Sequence, residues 1–196
     1  MHVPPTGAGK SSFDLIDAGK LFTRLELQNN SIFLDLGCGQ GKYTMAVAPL
    51  IQENGRIFAY DLWEQGITEL QQNIVNHAIS NIVASVVDVS QKLPLESESI
   101  DVCLMATVFH DLVQDGVHER TLNEVSRTLK KTGQLVIVEF KKIDRPPGPP
   151  FHVRISPDEL ERMMKHSGFQ LTETTDIGPF NYVSLFAFSL SAGISR

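Results

Sequence analysis

Apolar segments of strand length alternate with amphipathic segments of helix length over most of the chain. Strands that are apolar on both faces and joined through helices are typical of a parallel sheet buried between two helical layers. The pattern predicts strands at 31–36, 55–60, 82–87, 100–107 and 133–140, and helices at 42–52, 63–78 and 117–129.

The last third of the chain has a different pattern. The run Pro146–Pro150 cannot join a β-ladder and predicts a stiff loop after a core strand. Ser156, followed by Pro157 and Glu159, has the arrangement of a capping box and predicts a helix to about Ser167. An antiparallel hairpin on the sheet is predicted from two further strands, at 169–174 and 182–190.

The length and composition suit one globular domain. The chain has 196 residues, 42% of them hydrophobic, which is enough for a core of its own. We expect residues 1–30, with short helical pieces, to form a cover segment and residues 31–196 to form the domain. The predicted fold is α/β: a Rossmann-like, seven-stranded, mostly parallel sheet with helices on both faces and an antiparallel carboxy-terminal strand.

Charge and cysteine content narrow the functional classes. Lys and Arg total 17 against 23 Asp and Glu, and this net charge of −6 disfavours nucleic acid and anionic membrane surfaces as partners. Cys38 and Cys103 are too few for a disulfide framework, and no apolar run suits a signal core or a membrane span. We expect a cytoplasmic protein with a small-molecule partner, no membrane insertion and no metal.

A strand followed by a glycine-spaced turn is the most informative motif. The turn contains Gly37, Gly39 and Gly41, and this spacing permits positive φ and brings a ligand against bare main chain at a helix N-terminus. A dinucleotide-binding fingerprint needs glycine where the chain has Lys42. The third glycine is therefore one residue too early for a pyrophosphate-binding site. Asp35, just before the turn, suits an ammonium group better than a phosphate.

Two more carboxylates follow the next two strands. Asp61 comes about 20 residues after Gly41, where a carboxylate accepts hydrogen bonds from two ribose hydroxyls. Asp88 is placed to accept from the exocyclic amine of adenine, with the Val89 N–H beside it, and Trp63 is placed to stack on a base. The alternatives are that Asp61 is a helix N-cap, that Asp88 caps a turn, and that Trp63 is a packing residue.

The glycine turn with its three carboxylates resembles the class I S-adenosylmethionine-dependent methyltransferases, over nearly the whole chain. The resemblance implies S-adenosyl-L-methionine as the cofactor and SN2 transfer of a methyl group to a small-molecule acceptor. It is nearest to the branch with quinone C-methyltransferases and arsenite methyltransferases, although a third thiol for arsenite is missing. The resemblance assigns these residues to the cofactor: Asp35, Gly37, Gly39, Gly41, Asp61, Leu62, Trp63, Asp88, Val89 and Ala106.

The same resemblance places the segment after the fourth strand at the methyl-transfer site. His110 is there a candidate general base, or alternatively a residue that caps or hydrogen-bonds the backbone. Charged residues around the proline run are candidates for the substrate side, the alternative being a solvated charged loop. The substrate candidates are Thr107, His110, Glu139, Lys141 and Arg154.

Residues 7–17 are predicted to fold over the cofactor, with Phe13 or Phe22 closing the pocket, the alternative being a frayed terminus. An S-adenosylmethionine-binding sensor or partner subunit without catalysis is the alternative function. A dehydrogenase on a similar sheet is a third hypothesis, which Lys42 disfavours.

Overall fold

The structure is a computed structural model that describes residues 7–52 and 54–189. Its strands are β1 Ile32–Leu36, β2 Arg56–Asp61, β3 Ile82–Val86, β4 Ile100–Ala106, β5 Leu129–Phe140, β6 Phe169–Asp176 and β7 Asn181–Phe188. They form one sheet in the order β3-β2-β1-β4-β5-β7-β6. Neighbouring strands are parallel except for β7, which is antiparallel to both β5 and β6. The predicted mostly parallel sheet with an antiparallel carboxy-terminal strand is confirmed.

Helices cover both faces of the sheet. They are α1 Ala18–Phe22, α2 Lys42–Ile51, α3 Glu64–Asn76, α4 Phe109–Gln114, α5 His118–Thr128 and α6 Pro157–His166, with short 3-10 helices at Phe13–Leu15 and Phe151–Val153. Val47 of α2 and Leu70 of α3 are fully buried on one face, and Val125 of α5 and Leu160 of α6 on the other. This two-sided burial explains why the central strands are apolar on both faces.

Most predicted element boundaries lie within two residues of those observed, and two differences are larger. Helix α4 was not predicted, because six residues directly after a strand are too few to show a helical period. Strand β5 begins at Leu129 and not at Gly133, because α5 passes into it without an intervening turn. Leu190, the end of the last predicted strand, lies outside the described residues.

Local capping fixes the start of α6 as predicted. The Ser156 hydroxyl accepts a hydrogen bond from the Glu159 N–H at 3.3 Å, and the Glu159 carboxylate accepts one from the Ser156 N–H at 2.8 Å. These reciprocal bonds satisfy two amides that a helix N-terminus leaves without partners.

The described part of the cover segment packs onto the domain. Leu21 is fully buried and Leu25 is nearly so, in the same hydrophobic cluster as Val47 of α2. Arg24 forms an ion pair with Glu173 of β6, with 2.7 Å between Nε and Oε1. Of the helices described, none has the length and hydropathy needed to cross a membrane.

Candidate functional site

The turn between β1 and α2, here called the glycine loop, lies at the carboxyl edge of the sheet. Gly37, Gly39 and Gly41 have φ values of +80°, +56° and +77°, in the left-handed region that favours glycine. A Cβ on Gly37 would lie 2.6 Å from a methyl carbon of Val108, and one on Gly41 would lie 2.4 Å from Leu70. A Cβ on Gly39 would meet no atom within 4 Å. Bare main chain therefore borders open space at Gly39.

Asp35 lies at the base of the glycine loop and is 1% exposed. Its Oδ2 accepts a hydrogen bond from the Thr44 hydroxyl at 2.5 Å, whereas its buried Oδ1 has no hydrogen-bond partner among the residues that the structure describes. Burial, assisted by the charge of Asp61, raises the pKa of Asp35 to about 7 against the lowering effect of the Thr44 hydrogen bonds. A cationic ligand group beside this carboxylate would satisfy the free oxygen and favour the ionised form.

Asp61 ends β2 and joins the glycine loop to α3. Its Oδ2 accepts a hydrogen bond from the Gly39 N–H, and its Oδ1 accepts one from the Trp63 N–H, both at 2.8 Å. The bond to Trp63 closes a turn before α3, whose N-cap is Trp63, so Asp61 is not the helix N-cap. A ribose contact stays a prediction that uses the remaining lone pairs. The Trp63 ring packs so closely on α3 that a Cβ on Gly66 would lie 2.4 Å from it. Leu62 is 46% exposed.

Asp88 lies two residues beyond the end of β3 and is exposed. Its Oδ1 accepts hydrogen bonds from the N–H and the hydroxyl of Ser90, at 2.9 and 2.7 Å, so the side chain caps a turn. Val89 beside it is buried in the core. The contact of these two residues with adenine stays a prediction.

A cavity lies between the glycine loop and the cover segment. The end of β4 completes its wall, and the lining residues are Gly9, Lys10, Ser11, Gly37, Cys38, Gly39, Gln40, Lys42, Tyr43, Ala106 and Thr107. Phe13 and Phe22, predicted to close the pocket, are not in this lining. Phe13 packs instead on the Tyr43 ring with 5.0 Å between ring centroids.

A network of three hydroxyls, of which the sequence pattern gives no sign, borders the cavity. The Ser12 hydroxyl lies 2.8 Å from the Tyr43 hydroxyl and 3.1 Å from the Thr107 hydroxyl. Thr107 has a φ of +54°, which is rare for a β-branched residue. This network ties the cover segment to both β4 and α2 across the mouth of the glycine loop, and only the folded chain brings the three hydroxyls together.

His110 and Glu139 form a buried pair at the carboxyl ends of β4 and β5. The Nδ1 of His110 lies 2.9 Å from both carboxylate oxygens of Glu139. The same carboxylate accepts hydrogen bonds from the backbone N–H groups of His110 and Phe140, at 3.0 and 3.1 Å. Glu139 is fully buried, so the alternative of a solvated charge is wrong for this residue. It contacts the imidazole that the sequence singled out as a base.

Charged neighbours set the protonation of His110. Burial alone lowers the pKa of His110, but the hydrogen bond and charge of Glu139 and the charge of Asp111 outweigh it and raise the pKa above its ordinary value. Asp111 Oδ1 lies 3.6 Å from His110 Nε2. Burial also raises the pKa of Asp111, against the lowering effect of His110. Within residues 7–52 and 54–189, no group of His, Cys, Asp and Glu has the arrangement of a metal site.

Arg154 holds the proline loop, residues 146–150. Arg154 is 3% exposed, so the alternative of a solvated charge is wrong for this residue as well. Its guanidinium donates at 2.8–3.1 Å to the backbone carbonyls of Lys141, Arg145, Pro147 and Pro149. The guanidinium forms four hydrogen bonds within the protein, so Arg154 stabilises the loop in this structure. The Lys141 side chain is partly exposed and paired with Asp176, with 2.7 Å between Nζ and Oδ2.

Known proteins are similar to this chain in sequence. A family model described as a methyltransferase domain matches residues 27–181. The ubiquinone/menaquinone biosynthesis C-methyltransferase UbiE of Hydrogenovibrio crunogenus is 26% identical over 120 residues, covering 61% of this chain and 46% of the relative. The demethylmenaquinone methyltransferase of Lactiplantibacillus plantarum is 25% identical, covering 63% and 51%. The chain thus spans about half the length of these curated relatives.

Solved structures share the fold. A SAM-dependent methyltransferase from Aquifex aeolicus superposes with a TM-score of 0.83 at 23% identity, covering 91% of this chain and 93% of that one. The [4+2]-cyclase SpnF superposes with a TM-score of 0.71 at 18% identity, covering 87% and 78%. At these identities the superpositions establish the fold alone, and the family match rests on the sequence. Over residues 27–181, this chain belongs to the methyltransferase domain family.

Proposed function

We propose that the chain binds S-adenosyl-L-methionine at the glycine loop and transfers the methyl group to a small-molecule acceptor. The buried Asp35 oxygen without a partner carries this proposal, together with the open backbone at Gly39. An ammonium group next to exposed main chain satisfies both features. When bound, S-adenosylmethionine supplies a methyl group on a sulfonium, which is already activated toward nucleophiles.

Each part of the cofactor has its own set of residues in this proposal. Asp35 and the glycine loop hold the methionine part, and the side chain of Asp61 turns toward the ribose. Adenine lies by the ends of β2 and β3, and the methyl group lies by the end of β4. The residues proposed are Asp61 and Leu62 for the ribose, Trp63, Asp88 and Val89 for adenine, and Ala106 and Thr107 for the methyl group.

Positioning is the main contribution of the protein to such a reaction. Alignment of two reactants lowers a barrier by roughly 7–11 kcal/mol when it replaces a bimolecular encounter. The Ser12–Tyr43–Thr107 hydroxyl network holds the cover segment over the cavity. A covered cavity excludes water from the sulfonium and keeps the acceptor in one orientation.

The small-molecule acceptor is supported by charge and by the relatives. A net charge of −6 disfavours a nucleic-acid substrate. The curated relatives are named as quinone-biosynthesis methyltransferases, so a ring compound of that class is the first acceptor to test. We further propose the cytoplasm as the working compartment, supported by Cys38 and Cys103, which are buried free thiols.

Calorimetry tests the cofactor. We expect wild-type protein to bind S-adenosylmethionine and S-adenosylhomocysteine but not NAD. Asp61→Asn is expected to weaken this binding at least about tenfold, because a neutral amide forms weaker hydrogen bonds to hydroxyls than a carboxylate does. Asp158→Asn, at an exposed position of α6, is the matched control and should bind as wild type. Equal binding of NAD, or no effect of Asp61→Asn, would overturn the cofactor assignment.

Turnover tests the reaction. Conversion of S-adenosylmethionine to S-adenosylhomocysteine is measured across a panel of phenols, hydroquinones, amines and thiols, with product mass confirming addition of a methyl group. Acceptor-dependent turnover supports the proposal. Tight cofactor binding with no turnover on any class favours the binding-only alternative.

A further inference from the structure

We infer that Glu139 is a positioning residue that holds His110 as a general base, and that the acceptor therefore presents a hydroxyl or carbon-bound proton that leaves during transfer. This inference rests on the proposed function and names the acceptor class for the same site. It depends on the buried contact between two side chains that are 29 residues apart in the sequence.

The sheet brings the two side chains together. Ala106 of β4 pairs with Val138 of β5, so Glu139 follows this pair on one strand and the first turn of α4, with His110, follows it on the other. The carboxylate accepts from two backbone N–H groups as well as from the imidazole. These bonds hold the carboxylate in one orientation, and the carboxylate in turn orients the ring.

The contact selects one tautomer of the imidazole. A carboxylate only accepts hydrogen bonds, so neutral His110 carries its proton on Nδ1 and the lone pair lies on Nε2. Nε2 faces the side of Asp111, whose Oδ1 at 3.6 Å is beyond ordinary hydrogen-bond range. A Cβ on Gly7 would lie 3.1 Å from the other Asp111 oxygen, so the cover segment lies against this carboxylate.

The charges around His110 stabilise its protonated form. Glu139 of β5 and Asp111 of α4 favour the imidazolium, whereas Arg154, after the second 3-10 helix, opposes it. The positive charge of Lys10, in the cover segment, lowers the pKa of Asp111. Two carboxylates against one guanidinium leave a base that is stronger than an isolated imidazole.

The proton balance defines the acceptor. The attacking oxygen or carbon forms a bond to the methyl carbon, the carbon–sulfur bond breaks with its electron pair going to sulfur, and the acceptor's proton passes to His110 Nε2. The imidazolium then releases that proton to solvent. A thiolate or neutral amine attacks without a base, whereas a phenol, an enol or an activated ring carbon gains from one, typically about 10²- to 10⁴-fold.

Nuclear magnetic resonance tests the positioning without cofactor or turnover. We expect the ¹⁵N shifts of His110 in wild-type protein to report the Nδ1–H tautomer. In Glu139→Gln the pKa of His110 should fall and this tautomer preference should weaken, because the amide can donate to Nδ1. Glu161→Gln, exposed on α6, is the matched control and should leave both unchanged. An unchanged tautomer and pKa in Glu139→Gln overturn the inference.

Kinetics then test the base and the acceptor class. Glu139→Gln should lower kcat at least about tenfold, leave the KM of the acceptor within about twofold and move the acidic limb of the pH–rate profile to lower pH. His110→Asn should remove that limb, and Glu139→Asp should restore part of the rate. If Glu139→Gln does not fold, Glu139→Asp and Asp111→Asn provide the same pKa and pH-profile readouts. Fast turnover of amines or thiols alone contradicts the acceptor class.

Binding separates the two proposals. His110→Asn and Glu139→Gln should bind S-adenosylmethionine with wild-type affinity. Failure of wild-type protein to bind the cofactor defeats the proposed function, whereas normal binding with an unchanged pH profile defeats only the role of Glu139.

Discussion

At Gly41 a side chain would collide with Leu70 of α3, whereas at Gly39 it would enter open space. Both glycines have positive φ, so alanine at either position meets the same backbone strain, about 1–2 kcal/mol. Only the surroundings differ, and they divide the glycine loop into a packing position and a ligand-facing position.

We expect Gly41→Ala and Gly39→Ala to separate folding from binding. Gly41→Ala should lose a further ~1–3 kcal/mol of unfolding free energy through overpacking. Gly39→Ala should lose only the strain of about 1–2 kcal/mol but bind S-adenosylmethionine at least about tenfold more weakly. Urea denaturation and calorimetry measure the two quantities. Gly168→Ala, also at positive φ with no atom within 4 Å, gives the strain alone. Wild-type affinity in Gly39→Ala would contradict the ligand-facing assignment.

The protonation of Asp35 predicts a proton linkage to cofactor binding. Its pKa is about 7 in the free protein, and a bound ammonium group should lower it, so binding near pH 7 releases part of a proton. Calorimetry at pH 7 in phosphate and in Tris should therefore give different heats. Asp35→Asn, which keeps an acceptor for the Thr44 hydroxyl, should remove the Asp35 share of this difference. Buffer-independent heats in wild-type protein would refute the linkage.

At the scale of elements, the segment between β5 and α6 has little regular structure, and the Arg154 guanidinium donates four of its internal hydrogen bonds. The guanidinium joins four carbonyls and lies 5.7 Å from the centroid of the Phe140 ring. A buried cation with this many partners organises the loop more than its prolines alone can, because prolines restrict φ but form no cross-links.

Removal of this cation should loosen the proline loop. We expect Arg154→Met to lose about 1.5–3 kcal/mol of unfolding free energy, because four backbone carbonyls lose a charged donor. Limited proteolysis should cut the variant faster between residues 141 and 150. Arg162→Met, at an exposed position of α6, should change stability by less than about 0.5 kcal/mol. Equal stability of the two variants would show that the loop does not depend on the guanidinium.

For the whole molecule, two buried groups give the same dependence of stability on pH. The folded pKa of Asp35 is raised from 3.8 to about 7, so its contribution is full below about pH 4 and is lost as pH rises toward 7. The pKa of His110 is also raised, and its contribution is lost as pH rises through the folded value. Glu159 acts in the opposite direction: Lys142 and the Ser156 amide lower its pKa to about 2, so its contribution is lost in acid.

Protein without cofactor should therefore be less stable at pH 8 than at pH 5, by on the order of 2 kcal/mol. Urea unfolding at several pH values measures the slope, and Asp35→Asn should flatten it. Stability that stays level or increases from pH 5 to pH 8 would contradict the protonation states assigned to Asp35 and His110.

The sequence by itself determined the alternating fold, the glycine loop and the capped start of α6. Each depends on residues close together along the chain: a run of apolar side chains, three glycines that permit positive φ, or a Ser–Glu pair three positions apart. Such patterns depend on neighbouring residues and not on tertiary contacts, so they can be recognised in the sequence alone.

Only the tertiary structure decided which partners polar side chains far apart in the sequence have. Glu139 meets His110, Arg154 meets the proline loop, and Ser12 meets Thr107 across a separation of 95 residues. The register of β4 against β5 and the fold of the cover segment set these contacts, and neither leaves a local pattern in the sequence. The sequence predicts that a charged residue next to a loop is solvated. When such a residue is buried in the folded protein, it needs hydrogen-bond partners there, because an unpaired buried charge is costly.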